Sequence, residues 1–217
     1  MKGIMLLIMS LDDVRYPNLK EEHVTCRRRR LPHWDASGCA YFVTFRTADS
    51  ISRDEAGEIR RLREELRLST AKGLATHREA QRKLFRYQES RLDLGSGTRP
   101  FQDPSIARLM EEVLQHLNQA HYRLGTWCVM PNHVHVVVAP LEDRQLSKIV
   151  QAWKSVSSRR INQALGTSGK FWQEECFDHL IRSPSEHERF DRYIVDNPSK
   201  AGLVDWHSVS QLGQTTI

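Results

Sequence analysis

The stretch that most constrains the fold of this 217-residue chain is VMPNHVHVVVAP, residues 129–140. Its valine-rich second half is typical of a β-strand with a buried face. Side chains two residues apart on a strand lie on the same face, roughly 6.5 Å apart along the chain, so His133 and His135 face the same way. Val134, Val136 and Val138 face the other way, which predicts that these three valines enter the core.

Two interpretations of the histidine pair stay open from these residues alone. The pair could be polar side chains on the outer face of a strand, or two neutral imidazoles that converge on a divalent metal. A third ligand would favour the metal, and Tyr193 and Asn197 share one face of a predicted C-terminal helix. The amide oxygen of Asn197 suits Mg²⁺ or Mn²⁺, although Asn-Pro is also a common helix stop. Tyr193 could equally be a half-buried aromatic residue.

Composition narrows the class of protein. The 32 Lys and Arg residues against 27 Asp and Glu give a net charge of +5, and this mild excess favours a polyanionic partner such as nucleic acid. The mean hydropathy of −0.56 indicates a soluble protein. The four cysteines are too widely spaced for a zinc knuckle or a redox dithiol. The first ten residues resemble a signal peptide only weakly, so we expect a cytoplasmic protein.

The predicted elements follow the order strand, helix, strand, strand, helix, strand, helix. This order is that of the ferredoxin-like, split βαβ fold. The predicted fold class is therefore α+β, with helices packed on an antiparallel sheet and an extra C-terminal helix that carries Tyr193. That helix should end near Asn197, because the following proline disfavours helical backbone there. The predicted strands are residues 39–47, 126–131, 133–140 and 177–181, and the predicted helices are residues 103–121, 146–165 and 183–197.

Residues 51–100 interrupt this order between the first strand and its crossover helix. The segment is charge-dense and has Leu62, Leu66 and Leu84 at helical intervals, which predicts one or two exposed helices but no role for them. We expect a poorly ordered N-terminal segment at 1–26, a single domain at 27–206 with a helical insertion at about 51–100, and a flexible tail at 207–217.

Several motifs together resemble a known protein family. PNHVH at residues 131–135, Tyr193 and the NPSKAGLV that begins at Asn197 resemble the HUH tyrosine transposases of bacterial insertion sequences. Among these, the chain is similar to the REP-associated tyrosine transposases. The segments RRRRLPHWDASGCAYFVTFRTADS, WKSVSSRRIN and FWQEECFDHLIRS are also similar to that family. The resemblance covers residues 27 to about 206, so the expected domain is HUH transposase-like.

The resemblance implies a metal-dependent transposase that cleaves and rejoins single-stranded DNA at hairpin-containing, REP-like sequences. His133 and His135 match the two metal-ligand histidines of the family. Tyr193 matches the nucleophile that forms a 5′-phosphotyrosine, and Asn197 matches the polar residue that completes a Mg²⁺ or Mn²⁺ site. Such a protein would act near the nucleoid, as a monomer or a homodimer.

Basic residues are the candidates for contacts with DNA. The run of four arginines before the first strand of the sheet is suited to phosphates, and the aromatic residue after it could stack on an unpaired base. A solvated basic run is the competing interpretation. The candidate DNA-binding residues are Arg27, Arg28, Arg29, Arg30, Trp34, Lys154, Arg159 and Arg160, of which the last three are expected on or near one face of the predicted helix 146–165.

A second class of function also stays open, namely a domesticated hairpin-binding protein that no longer cuts DNA. The complete set of candidate site residues argues against it, and formation of a covalent adduct with single-stranded DNA would separate the two. A histidine-triad nucleotide hydrolase fits badly, because that chemistry needs a further histidine where this strand has Val137.

Overall fold

A computed structural model describes residues 14–17, 25–28, 32–35, 38–69, 71, 73–93, 97–141 and 144–210. Helices and strands account for most of this part of the chain, and one short 3-10 turn precedes the third helix. The strands are β1 Thr25–Arg28, β2 Pro32–Asp35, β3 Tyr41–Arg46, β4 Tyr122–Met130, β5 His133–Pro140 and β6 Phe177–Leu180. The helices are α1 Arg53–Ser69, α2 Leu74–Asp93, α3 Pro104–His116, α4 Leu146–Leu165 and α5 Pro184–Lys200.

Four of the strands form the central sheet, in the order β4-β5-β3-β6, with every neighbouring pair antiparallel. Helix α3 connects β3 to β4 across β5, and α4 connects β5 to β6 across β3, which makes two split βαβ units. The predicted ferredoxin-like α+β fold is therefore confirmed. The strands β1 and β2 form a separate antiparallel hairpin that the sequence did not predict.

One face of the sheet packs against α3 and α4, as the valine side of β5 predicts. Val134, Val136 and Val138 are fully buried there and belong to the larger hydrophobic cluster. From α3, Met110 enters the same cluster, and from α4, Trp153 does so. The strong amphipathic pattern of these two helices explains why the sequence located them well.

The opposite face of the sheet carries the histidine pair and is covered by α5 and α2. Phe42 of β3 is fully buried at its centre. Its ring stacks on Phe190 of α5 at 4.4 Å between centroids and meets Phe85 of α2 edge-on at 5.8 Å. The sheet is thus the middle of three layers, and the third layer combines the C-terminal helix with the insertion.

The insertion forms a helical hairpin of α1 and α2 with a small core of its own. Leu62, Leu66 and Leu84 are buried together in it, while the outer faces carry exposed Glu–Arg pairs. The prediction of exposed helices therefore holds for the outer faces only. The two ends of the segment are joined, since the Thr98 amide donates to Asp49 at 2.8 Å. Gly97, at φ +80°, packs so closely on the Asp49 backbone that no side chain fits there.

Helix α5 begins as predicted and ends later than predicted. The Ser183 hydroxyl accepts a hydrogen bond from the Glu186 amide and caps the first turn. The prediction of an end near Asn197 is wrong, because the helix continues through Pro198 to Lys200. The proline bias on the preceding residue is a preference, and here the Ala201 amide restores the ladder by donating to the Asn197 carbonyl at 3.0 Å.

Short segments near both ends of the chain are fixed to the third layer. Val14 is buried, and the Tyr16 hydroxyl lies 3.0 Å from Nδ1 of His187. Near the C-terminus, residues 208–210 run along β4, where the Val129 amide donates to the Ser208 carbonyl. Residues 208–210 of the expected flexible tail at 207–217 are therefore held against β4, and residues 1–13, 18–24 and 211–217 lie outside the described part. Within the described part, no helix is long and apolar enough to cross a membrane.

The core of the α1–α2 hairpin gives a stability prediction. Replacing the fully buried Leu84 by alanine should lower the free energy of unfolding by about 2–5 kcal/mol, because it removes apolar contacts and leaves a cavity. The matched control is Leu68→Ala in α1, whose leucine is 51% exposed and which should change little. Urea unfolding measures both, and equal effects would contradict the hairpin core.

Candidate active site

Pairing of β3 with β5 fixes the histidine side of the sheet. In this register Thr44 lies opposite His135, and Arg46 lies opposite His133. Paired residues on neighbouring strands share a face, so both histidines, the threonine and the arginine point toward α2 and α5. Both imidazoles are buried, with no more than 1% of either residue exposed.

The two imidazoles meet through their Nε2 atoms, which are 3.0 Å apart. On the far side of each ring, Nδ1 has its own partner. Nδ1 of His133 lies 2.8 Å from Oδ1 of Asn132, and Nδ1 of His135 lies 2.8 Å from the Thr44 hydroxyl. An amide oxygen only accepts, so this network assigns the hydrogen of His133 to Nδ1 and leaves its Nε2 lone pair facing the site.

The hydroxyl of Thr44 can accept or donate, and His135 can therefore adopt either neutral tautomer. With Nδ1 as the donor, its Nε2 also presents a lone pair to the same point as His133. Partners of this kind orient metal-ligating histidines in proteins. The pair is thus held in a geometry that suits a metal, and both rings can adopt the tautomer that a metal ligand needs.

Burial keeps both histidines neutral. Desolvation lowers the pKa of His135 from 6.5 to about 3. The pKa of His133 lies well below 6.5, first because of burial and then because of the nearby His135 and Arg46. A charged imidazole in this position would lose the hydration that stabilises it in water, and this loss is the main reason that both pKa values are low.

Tyr193 of α5 lies beside the histidine pair, on the face of the sheet that α5 covers. Its ring meets that of His135 edge-on, with 5.5 Å between centroids, and packs against Phe42 at 5.8 Å. Its hydroxyl donates a hydrogen bond to Oε2 of Glu89. The same carboxylate oxygen lies 3.3 Å from Nε2 of His135. The predicted histidine pair and the predicted tyrosine therefore meet within one chain.

Glu89 of α2 is the site residue that sequence reasoning missed. Its carboxylate and the two imidazoles place one ligand atom each within 4.8 Å of one another. Most glutamates of the hairpin lie on its outer faces, whereas Glu89 is only 7% exposed. The available signal was that Glu89 follows Phe85 by one helical turn, which puts a carboxylate on the apolar face of α2.

Asn197 lies on α5 one turn beyond Tyr193, as predicted, and is 3% exposed. Its side-chain oxygen is buried and has no hydrogen-bond donor among the described residues. A buried amide oxygen without a donor is costly, so this atom is suited to a ligand. The carboxylate of Glu89 and the amide of Asn197 are both candidates for an oxygen ligand.

The three candidate DNA-binding residues of α4 do not share one surface. Lys154 donates to the carbonyls of residues 173–175, and Arg160 pairs with Glu112 of α3. The prediction that Lys154, Arg159 and Arg160 lie on or near one face of the helix is wrong. Arg159 and Arg160 follow Lys154 by five and six residues, which places them about 140° and 240° around the helix axis from it. Arg159 is exposed. Arg29 and Arg30 lie outside the described residues, and only the backbone of Arg27, Arg28 and Trp34 is described.

The lowered histidine pKa values predict a pH-dependent stability. Each histidine binds a proton in the unfolded chain below pH 6.5 but resists it when folded, down to pH of about 3 for His135. The free energy of unfolding should therefore keep its full value above pH 6.5. Below pH 6.5 it should fall by up to about 1.4 kcal/mol per pH unit for each histidine. Urea unfolding in EDTA should show this loss, and the double variant His133→Gln, His135→Gln should flatten it. An unchanged pH dependence in that variant would contradict the assignment.

Comparison with known proteins finds a family that part of the chain resembles. The model of the family described as "Transposase IS200 like" matches residues 99–197, the part that contains both histidines, Tyr193 and Asn197. No curated protein matches the chain.

Two solved structures are similar to the chain. One is described as a REP-associated tyrosine transposase bound to a REP hairpin, with 19% identity, coverage of 80% of this chain and 77% of that chain, and a TM-score of 0.45. The other is described as a transposase from Deinococcus radiodurans R1, with 16% identity, coverage of 73% and 89%, and a TM-score of 0.30. The family match agrees with the resemblance seen in the sequence, and residues 99–197 are similar to the IS200-like transposases.

Proposed function

We propose that this transposase cleaves and rejoins single-stranded DNA through Tyr193, with a divalent cation held by His133 and His135. The observation that supports the proposal most is the meeting of the Tyr193 hydroxyl with the imidazole pair, through the shared Glu89 carboxylate. A nucleophile and a metal-binding pair must face the same phosphate, and this arrangement allows it.

The residues fit a divalent cation with mixed nitrogen and oxygen ligands. Both histidines are neutral and can present Nε2 lone pairs, and Glu89 offers a carboxylate oxygen, with one ligand atom from each of the three residues within 4.8 Å of the others. The side-chain oxygen of Asn197, which has no hydrogen-bond partner among the described residues, is a further candidate ligand. Oxygen ligands suit Mg²⁺ and Mn²⁺, and two imidazoles favour Mn²⁺ of the two. A cation bound there polarises the scissile phosphate as a Lewis acid.

The bond changes assign a role to Tyr193 and Glu89. The phenol oxygen of Tyr193 attacks phosphorus, the bond to the 3′ oxygen breaks, and the products are a 5′-phosphotyrosine and a 3′-hydroxyl that has gained a proton. The phenol proton must leave, and the carboxylate of Glu89 already accepts its hydrogen bond. A second 3′-hydroxyl attacking the phosphotyrosine reverses these steps and joins two strands.

The proposed substrate is a hairpin-containing, REP-like single strand. This part of the proposal rests on the sequence resemblance to REP-associated transposases, together with the net charge of +5, which favours a polyanion. The arginines at 27–30 and Trp34 remain the proposed phosphate and base contacts. Since His135 and Tyr193 meet within one chain, the proposed chemistry does not require a second copy.

The central test is a covalent adduct. Incubating the protein with labelled single-stranded hairpins from the DNA that flanks its gene, in Mn²⁺, should yield a protein–DNA band that resists denaturation. Tyr193→Phe removes only the hydroxyl and should abolish the adduct while hairpin binding remains. Tight binding by the native protein without any adduct would instead indicate the non-cleaving binder.

A second test addresses the ligand set by calorimetric titration of Mn²⁺ into the protein without DNA. His135→Ala and Glu89→Gln should each weaken binding by more than about 10-fold, a loss that even outer-shell partners of a metal produce. The matched control is Glu79→Gln, on the exposed side of the same helix. Native affinity in Glu89→Gln with a loss in Asn197→Ala would make Asn197, and not Glu89, the oxygen ligand.

A further inference from the structure

A small recess lies beside the candidate active site, between β3 and the α1–α2 hairpin. Thr44 and Glu89 line it, and both of these residues also contact His135. Arg46 of β3 and Arg63 of α1 line it as well. The recess is therefore one side chain away from the imidazole pair and has two guanidinium groups in its wall.

Arg46 carries a hydrogen-bond donor for which the described residues supply no acceptor. Its Nε atom is buried and has no hydrogen-bond acceptor among them. Burial, followed by the neighbouring Arg63, lowers the pKa of Arg46 to about 10, which leaves it charged at neutral pH. A buried, charged donor without an acceptor is destabilising, so the arrangement is better explained by a ligand than by folding.

The charge balance of the recess depends on the neighbouring cation site. The carboxylates of Glu89 and Glu175 also line the recess and offset the two arginines. A divalent cation beside Glu89 would shift this balance toward positive charge, and an anion would then be bound more strongly. The free volume is about 10 Å³, which suits one oxygen atom rather than a whole phosphate group.

We propose that Arg46 and Arg63 form a phosphodiester-binding site, in which they hold a non-bridging oxygen of a backbone phosphate of the DNA strand next to the histidine pair. The site rests on the proposed strand-transfer function and identifies a substrate contact for it. Guanidinium groups are suited to this ligand because they present planar pairs of donors to phosphate oxygens. Arg63 belongs to the helical insertion, so the insertion takes part in holding the substrate.

The test measures binding of a (dT)12 strand to the full chain in Mn²⁺ over a range of NaCl concentrations. Each phosphate contact with single-stranded DNA contributes about 0.7 to the slope of log affinity against log salt. Because both arginines hold the same phosphate, Arg46→Gln and Arg63→Gln should each reduce that slope by up to about 0.7, and the double variant should reduce it by about 0.7 in total. The control Arg61→Gln removes an exposed arginine of α1 that pairs with Glu58 and should leave the slope unchanged.

Single-phosphate replacement makes the test specific for the DNA backbone. Strands that carry one neutral methylphosphonate, moved position by position, should show one position at which the native protein binds less tightly. The variant Arg63→Gln, whose change lies in α1 and outside the sheet, should be insensitive at that same position. A general folding defect would weaken binding at every position alike.

Three results would overturn the proposal. Unchanged salt slopes in both arginine variants would remove these residues from DNA binding, while adduct formation through Tyr193 would still uphold the proposed function. Binding of inorganic phosphate to the native protein, together with unchanged DNA slopes, would assign the recess to small anions. A native protein that binds no single-stranded DNA would contradict the proposed function and this site together.

Discussion

The register of β3 against β5 is the constraint on which the rest of the site depends. Because strand side chains alternate between faces, a slip of one residue would turn the histidines into the valine core. The observed register places Thr44 beside His135 and Arg46 beside His133. It also centres Phe42, whose ring stacks on both His135 and Phe190. The hydrophobic third layer and the polar site are therefore positioned by one set of backbone hydrogen bonds.

The site combines polar groups that folding alone would not favour. Two buried neutral imidazoles lie on one side of the sheet, together with the oxygen of Asn197 and the Nε of Arg46, both without a hydrogen-bond partner in the part of the chain that the structure describes. Native proteins leave few such groups unsatisfied, and a concentration of them is typical of functional sites. The valine face, with no such groups on β5, carries the larger core, so stability and chemistry are divided between the two faces of one sheet.

The sequence predicted the parts of this arrangement that depend on local patterns. Alternation on β5 placed the histidines on one face, and the capping residues located the start of α5 and with it Tyr193. Glu89 could not be located in the same way, because only the docking of α2 on the sheet brings it to the site. Lys154 appeared available for DNA and instead binds backbone carbonyls, a contact made across 19 residues of chain.

The β1–β2 hairpin and the continuation of α5 past Pro198 are two further features that local sequence patterns do not predict. The continuation of the helix conflicts with a local backbone preference, and the hairpin gives no local signal. Tertiary contacts decide the first outcome. Asn197 and Pro198 are both buried, and packing of this turn outweighs a modest backbone bias. Short strands such as β1 and β2 carry too few residues for a periodic signal.

The close junction of Asp49 with Thr98 has a consequence for how such a chain can diversify. The polypeptide leaves the central sheet at Asp49 and returns beside it at Thr98. The entropic cost of joining two such close points with a short loop is small. The hairpin can therefore be lengthened, shortened or exchanged during evolution while the sheet, the imidazoles and the tyrosine stay intact. The acid, one arginine and the apolar contact of Phe85 with the sheet would change with it, so changes in the insertion can adjust the chemistry of the site.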